Sequence, residues 1–121
     1  MTKSIFIFDD DKDIVFLCRY LLERMGWEVH AQNNCNNITA LLRAVRPSLI
    51  LMDNRIPDIG GIAAIQMIKA DPELREIQVI FFSANNDIKK LSEKAGADRY
   101  LPKPFDIAEF EKLINSMIVL D

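Results

Sequence analysis

Cysteine, histidine and tryptophan are scarce in this 121-residue chain, at two, one and one. Cys18 and Cys35 make neither a disulfide framework nor a CxxC metal pair. Two free thiols in a reducing compartment are the expectation. His30, the lone histidine, is expected to be structural or solvated rather than a catalytic base or phosphodonor. Long apolar runs are missing too. No stretch approaches the roughly 18 apolar residues of a membrane span. The opening apolar run, Ile5 to Phe8, meets aspartates after four residues, too short for a signal-peptide core. No basic run exceeds Lys89-Lys90, and Lys plus Arg (15) against Asp plus Glu (18) gives a net charge of −3. A duplex-binding protein carries a basic face, so no direct nucleic-acid partner is expected. No repeat, low-complexity tract or linker interrupts the chain. A cytoplasmic protein with no membrane partner is the reading.

What is present is a core. Half the residues are hydrophobic, enough for one domain of this length to fold without staples. Three apolar runs, Ile5–Phe8, Leu49–Met52 and Val79–Phe82, are continuous rather than alternating. Strands of a parallel sheet covered on both faces look like this. Trp27 to Ala31 alternates, as an edge strand does, and Tyr100-Leu101 is a brief fifth strand. Between them, apolar residues recur at helical spacing over 12–25, 36–46, 61–70, 86–95 and 107–119. Gly26, Pro47, Asp71-Pro72 and Gly96 stop the first four. Asp106 with Glu109 three residues later resembles a capping box at the start of the fifth. Five β-α units in alternation build an α/β fold with an open parallel sheet and helices on both faces.

Ligands of such sheets bind at the carboxyl ends of the strands. Asp9 and Asp10 follow the first strand, Asp53 the third, Ser83 the fourth and Lys103 the fifth. Carboxylate oxygens suit a hard cation such as Mg²⁺. Two carboxylates about 4 Å apart repel by roughly 4 kcal/mol at an effective dielectric of 20, which one lysine relieves only in part. An aspartate can attack phosphorus to give an acyl phosphate. A cation, a hydroxyl and an ammonium are what phosphoryl transfer needs around it. Asp11 and Asp13, at a helix start, read as partners of the helix dipole.

Four motifs stand in order on this pattern: Ile7-Phe8-Asp9-Asp10-Asp11; Met52-Asp53-Asn54-Arg55-Ile56-Pro57-Asp58-Ile59-Gly60-Gly61; Phe82-Ser83-Ala84; and Ala95-Gly96-Ala97-Asp98-Arg99-Tyr100-Leu101-Pro102-Lys103-Pro104-Phe105. Together they resemble the receiver domain of two-component response regulators, of the single-domain chemotaxis-regulator type, over essentially the whole chain. The resemblance implies a flavodoxin-like (βα)₅ three-layer sandwich with strand order 2-1-3-4-5. It implies one receiver domain over 1–121 with no output domain. Asp53 is then the phosphoacceptor for a sensor histidine kinase or phosphotransfer protein. Mg²⁺ (or Mn²⁺) is held by Asp10, by Asp9 through water, by Asp53 and by the Arg55 backbone carbonyl. Ser83 and Lys103 bind the phosphoryl group. Lys103-Pro104 is cis. Ser83 and Tyr100 form a switch that alters the surface of the fourth helix, fifth strand and fifth helix. An unnamed downstream protein, or a second copy after phosphorylation, reads that surface. Arg55 and Asn85 tune how long the phosphate lasts. The protein is a phosphoacceptor that catalyses only its own phosphorylation and dephosphorylation. Two departures stand out. Ile59-Gly60 in the loop after Asp53 implies greater mobility there, and Ser83 lacks the methyl of the commoner threonine, which loosens its rotamer.

Two other readings compete. A haloacid-dehalogenase-type phosphatase also has an aspartyl nucleophile after its first strand, here Asp9. Asp13, however, stands where its Asp-x-Asp-x-Thr/Val motif needs Thr or Val. A receiver-like adaptor that works without phosphorylation would have lost its site, yet all five key positions are intact.

Overall fold

The computed structural model describes residues 3–117. Five strands, β1 (Lys3–Phe8), β2 (Trp27–Gln32), β3 (Leu49–Asp53), β4 (Gln78–Ser83) and β5 (Arg99–Pro102), alternate with five helices, α1 (Lys12–Arg24), α2 (Ile38–Val45), α3 (Gly60–Ala70), α4 (Ile88–Ala95) and α5 (Ile107–Ser116). The sheet is parallel, in the order β2-β1-β3-β4-β5, as the motifs imply. Residues 118 and 119 of the expected last helix lie outside the described residues.

Alternation along the buried strands divides the core. Phe6, Phe8, Ile50, Met52, Val79 and Phe81 pack with Ile38, Leu42, Ala64, Ile65, Ile68, Ile88 and Ala95 from α2, α3 and α4. Ile5, Ile7, Leu49, Leu51, Ile80 and Phe82 pack with Cys18, Leu21, Leu22, Phe110 and Ile114 from α1 and α5. A strand whose successive side chains are all apolar must have both faces covered. That requirement makes the fold three layers. β2 keeps its outer side wet: Trp27 and Val29 are buried and Glu28 is exposed. His30, expected to be structural or solvated, is half-buried and stacks on Phe6. Both cysteines are buried free thiols, with burial the main reason their pKa values are pushed up to about 12 for Cys18 and about 11 for Cys35.

Two helices begin two residues later than periodicity alone predicts. Before α2, the Asn34 side chain accepts the Asn36 N–H at 2.9 Å, and Asn37 is left-handed. Before α4, the Asn85 side chain accepts the Asp87 N–H at 2.8 Å. Asn side chains that bond their own backbone compete with the helix and delay its start. Asp11, by contrast, caps α1 by accepting from Asp13 N–H (2.9 Å) and Ile14 N–H (3.2 Å). Asp106 caps α5 by accepting the Glu109 N–H at 2.7 Å.

Candidate functional site

The carboxyl ends of β1, β3, β4 and β5 converge on one cleft of about 460 Å³, lined by Asp9, Asp10, Asp53, Arg55, Ser83 and Lys103 among others. Asp9 leaves β1 only 2 % exposed and Asp53 ends β3 at 5 %, whereas Asp10 faces solvent. One oxygen from each of Asp9, Asp10 and Asp53 lies within 4.8 Å of the others. The Lys103 Nζ donates to Asp9 Oδ2 at 2.8 Å and to Asp53 Oδ1 at 2.9 Å. The remaining oxygens are also engaged: Asp11 N–H donates to Asp9 Oδ1 at 2.9 Å, and Arg55 N–H to Asp53 Oδ2 at 3.2 Å. The Lys103–Pro104 peptide is cis.

One ammonium therefore serves two buried carboxylates, with a third beside them. Burial raises the Asp9 pKa above its ordinary 3.8, and the Asp53 charge adds to this. The hydrogen bonds from Lys103 and Asp11 N–H pull it down without cancelling the rise. Burial alone pulls Lys103 down. The hydrogen bonds to Asp9 and Asp53 outweigh it and hold the ammonium above its ordinary 10.5. Lys103 is thus charged across the physiological range, and two negative charges stay unbalanced when all three acids are ionised. This donor set fits a hard divalent cation: oxygens only, close together and short of positive charge.

Ser83, at the end of β4, is buried. Its Oγ accepts the Asn85 N–H at 3.0 Å and an Asn54 side-chain N–H at 3.5 Å. Asn85's own side chain turns to the start of α4, as described above. Tyr100 points away from the cleft. It is 38 % exposed and lines a groove with Lys89, Ser92, Glu93 and Leu113 between α4, β5 and α5. The structure thus brings Asp9, Asp10, Asp53, Arg55, Ser83 and Lys103 together and sets Tyr100 apart. A separate groove of about 580 Å³ between α1 and β2 shares only Asp9 and Asp10 with the cleft.

Sequence reasoning missed Gly61. A Cβ there would sit 2.3 Å from the Asp53 backbone oxygen and 2.9 Å from the Asn54 Cα, closer than atoms can pack. Its N–H donates to Asn54 O at 3.0 Å, while Asn54 N–H donates to Phe82 O at 2.8 Å. The start of α3 thereby presses on the segment that carries Asp53. Gly60, at φ +81°, makes the turn into it. The Gly-Gly pair would have marked a close backbone approach.

Residues 5–115 match the response regulator receiver domain family. The chain belongs to that family. It is 33 % identical to the polar-differentiation response regulator DivK of Brucella anthropi over 121 residues, covering 98 % of each chain. In fold it is similar to the chemotaxis response regulator CheY4 of Vibrio cholerae (TM-score 0.89, 18 % identity, 98 % of this chain and 100 % of that one). It is also similar to the receiver domain of the sensor histidine kinase PA1611 of Pseudomonas aeruginosa, which has magnesium coordinated in its active-site cleft (TM-score 0.86, 24 % identity, 97 % and 98 %). Membership makes the chain a receiver of two-component signalling. Among the described residues no helix is long and apolar enough to cross a membrane.

Proposed function

We propose that Asp53 is the phosphoacceptor of this receiver and that the cleft around it is a cation-dependent phosphoryl switch. The observation that carries this reading is the convergence of Asp9, Asp10 and Asp53 on one point with a single ammonium between them. A phosphohistidine on a histidine kinase or phosphotransfer protein supplies the phosphoryl group. An Asp53 carboxylate oxygen forms the P–O bond as the P–N bond breaks, and the imidazole leaves with the bonding pair and takes a proton from solvent. Lys103 and Arg55 N–H hold the Asp53 carboxylate in place, which fixes its direction of attack. Asp10, Asp53 and the Arg55 carbonyl would hold Mg²⁺ or Mn²⁺, with Asp9 contributing through water. The ion would supply positive charge to the phosphoryl oxygens. Ser83 and Lys103 donate to the same oxygens. The Arg55 side chain and Asn85 at the rim control access of the water that later hydrolyses the acyl phosphate.

Output follows from Ser83. Drawing its hydroxyl to the phosphoryl group shifts the loop after β4 and frees space behind it. Tyr100 then leaves solvent for that space, and the α4–β5–α5 surface changes its affinity for a downstream protein. This is a population shift driven by local charge. Residues 1–121 act as one receiver unit. Its own chemistry is limited to taking up and losing the phosphoryl group.

The test is incubation with acetyl phosphate and Mg²⁺ followed by intact-mass measurement. One phosphoryl group should add to the wild type and none to Asp53→Asn or to protein treated with chelator. Labelling that persists in Asp53→Asn and disappears in Asp9→Asn would overturn the assignment in favour of an Asp9 nucleophile. Size-exclusion before and after labelling reports whether a second copy is the partner.

A further inference from the structure

Asn54 lines a small cleft with Arg55, Ser83, Ala84 and Asn85. It is half-buried, next to Asp53, and its backbone is fixed from both sides. Its N–H donates to Phe82 O at 2.8 Å, and its carbonyl accepts from Gly61 N–H at 3.0 Å. Held this way, its side chain reaches Ser83, where Nδ2 donates to Oγ at 3.5 Å. Asn85 N–H donates to the same oxygen at 3.0 Å. A hydroxyl oxygen has two acceptor lone pairs and one proton. With both lone pairs taken, the proton is what Ser83 has left to offer, and among the described residues it has no acceptor. Ser83 also lacks the β-methyl that stiffens χ1 in threonine. Something else must set its rotamer.

We propose that Asn54 is a positioning residue: its amide, with Asn85 N–H, saturates the Ser83 oxygen so that the hydroxyl proton is directed to an incoming phosphoryl oxygen. Asn54 does for this serine what a methyl does for a threonine. The inference rests on the reading of Ser83 as a phosphoryl donor. It adds a residue to that reading which neither the spacing of the motifs nor the metal cluster points to. It also gives the weaker rotamer control expected of serine a specific remedy in this chain.

The experiment titrates the Mg²⁺-loaded protein with beryllofluoride, a phosphoryl mimic, by calorimetry. It compares the wild type with Asn54→Leu, Ser83→Ala, Ser83→Thr and the Asn54→Leu/Ser83→Thr double variant. Leucine keeps the branched shape of the Asn54 side chain, at a somewhat larger volume, and removes the donor. Asn54→Leu should weaken beryllofluoride binding roughly three- to fivefold, the scale of one neutral hydrogen bond. Ser83→Ala should weaken it more. In the Ser83→Thr background the Asn54→Leu penalty should fall below about 1.5-fold, because the methyl now holds the rotamer. Unchanged Mg²⁺ affinity in Asn54→Leu would show that the cluster is intact. If Ser83→Ala weakens binding and Asn54→Leu does not, or strengthens it, the inference is wrong while the site reading stands. An Asn54→Leu penalty of equal size in both backgrounds would also overturn it, since a purely structural loss does not depend on the threonine methyl. No effect of Ser83→Ala would remove the underlying reading of Ser83 itself.

Discussion

At the amino end of the sheet, Lys69 on α3 donates to Arg75 O (3.1 Å), Ile77 O (2.8 Å) and Asp98 Oδ2 (2.9 Å), and Asp98 also accepts Val79 N–H at 2.8 Å. Nearby, Arg43 pairs with both Asp71 and Glu73. At the carboxyl end, two carboxylates share one lysine and a third, Asp10, lies beside them. At the first end each of these acids is bonded to a cation, Lys69 and two of the acids are also bonded to backbone groups, and the set joins α3, β4 and the turn into β5. The second leaves negative charge uncompensated at a partly buried point. Nothing about the layers forces this difference, because both ends are rims of the same sheet. It separates charge used to hold the fold from charge kept available for a ligand.

The largest effect is expected at Gly61, where packing and chemistry meet. Gly61→Ala drives a methyl into the Asp53 and Asn54 backbone. Overpacking of this kind should cost about 1–3 kcal/mol. Because the displaced strand end carries Asp53, acetyl phosphate labelling measured by intact mass should slow at least tenfold. At the matched end, Asp98→Ala should lower stability, followed in denaturant by the fluorescence of buried Trp27, with labelling unchanged. The Asp98 side chain is 39 % exposed, so screening limits the loss to about 1 kcal/mol. Asp10→Asn should act in the opposite direction. Without Mg²⁺ it removes repulsion and no partner, so the same unfolding assay should show a gain of less than about 1 kcal/mol.

The smallest effect is the pH dependence of Asp9. Its folded pKa is raised above 3.8, so its contribution to stability is fully present below 3.8 and is lost as pH rises through the raised value. The stability advantage of Asp9→Asn over wild type should therefore grow across weakly acidic pH and then level off. Equal pH profiles for the two proteins would contradict the placement of Asp9 as a buried acid in a pocket short of positive charge.

Much of this was legible in the chain because each core strand ends on the residue that does the chemistry. The continuous runs Ile5–Phe8, Leu49–Met52 and Val79–Phe82 gave the buried strands, and Asp9, Asp53 and Ser83 follow them directly. The pairing of Lys69 with Asp98, and of Asn54 with Ser83, left no local trace. Each joins residues 29 apart that only the folded sheet brings together. The late starts of α2 and α4 were hidden for another reason. Apolar periodicity marks the buried face of a helix, whereas the Asn34 and Asn85 side chains decide where its backbone begins. Gly61 was visible as a glycine, but its contact with Asp53 is a property of how α3 crosses β3.

A carboxyl-end cluster held short of positive charge is completed by a cation. The most direct test is the stability of wild type and Asp10→Asn measured across a Mg²⁺ titration. Wild type should gain stability with Mg²⁺ by mass action, about 2.7 kcal/mol at a hundred times the dissociation constant. Asp10→Asn, starting slightly more stable, should need at least about tenfold more Mg²⁺ for the same gain, so that the two curves cross. Parallel curves, or no response to Mg²⁺ in the wild type, would contradict the account.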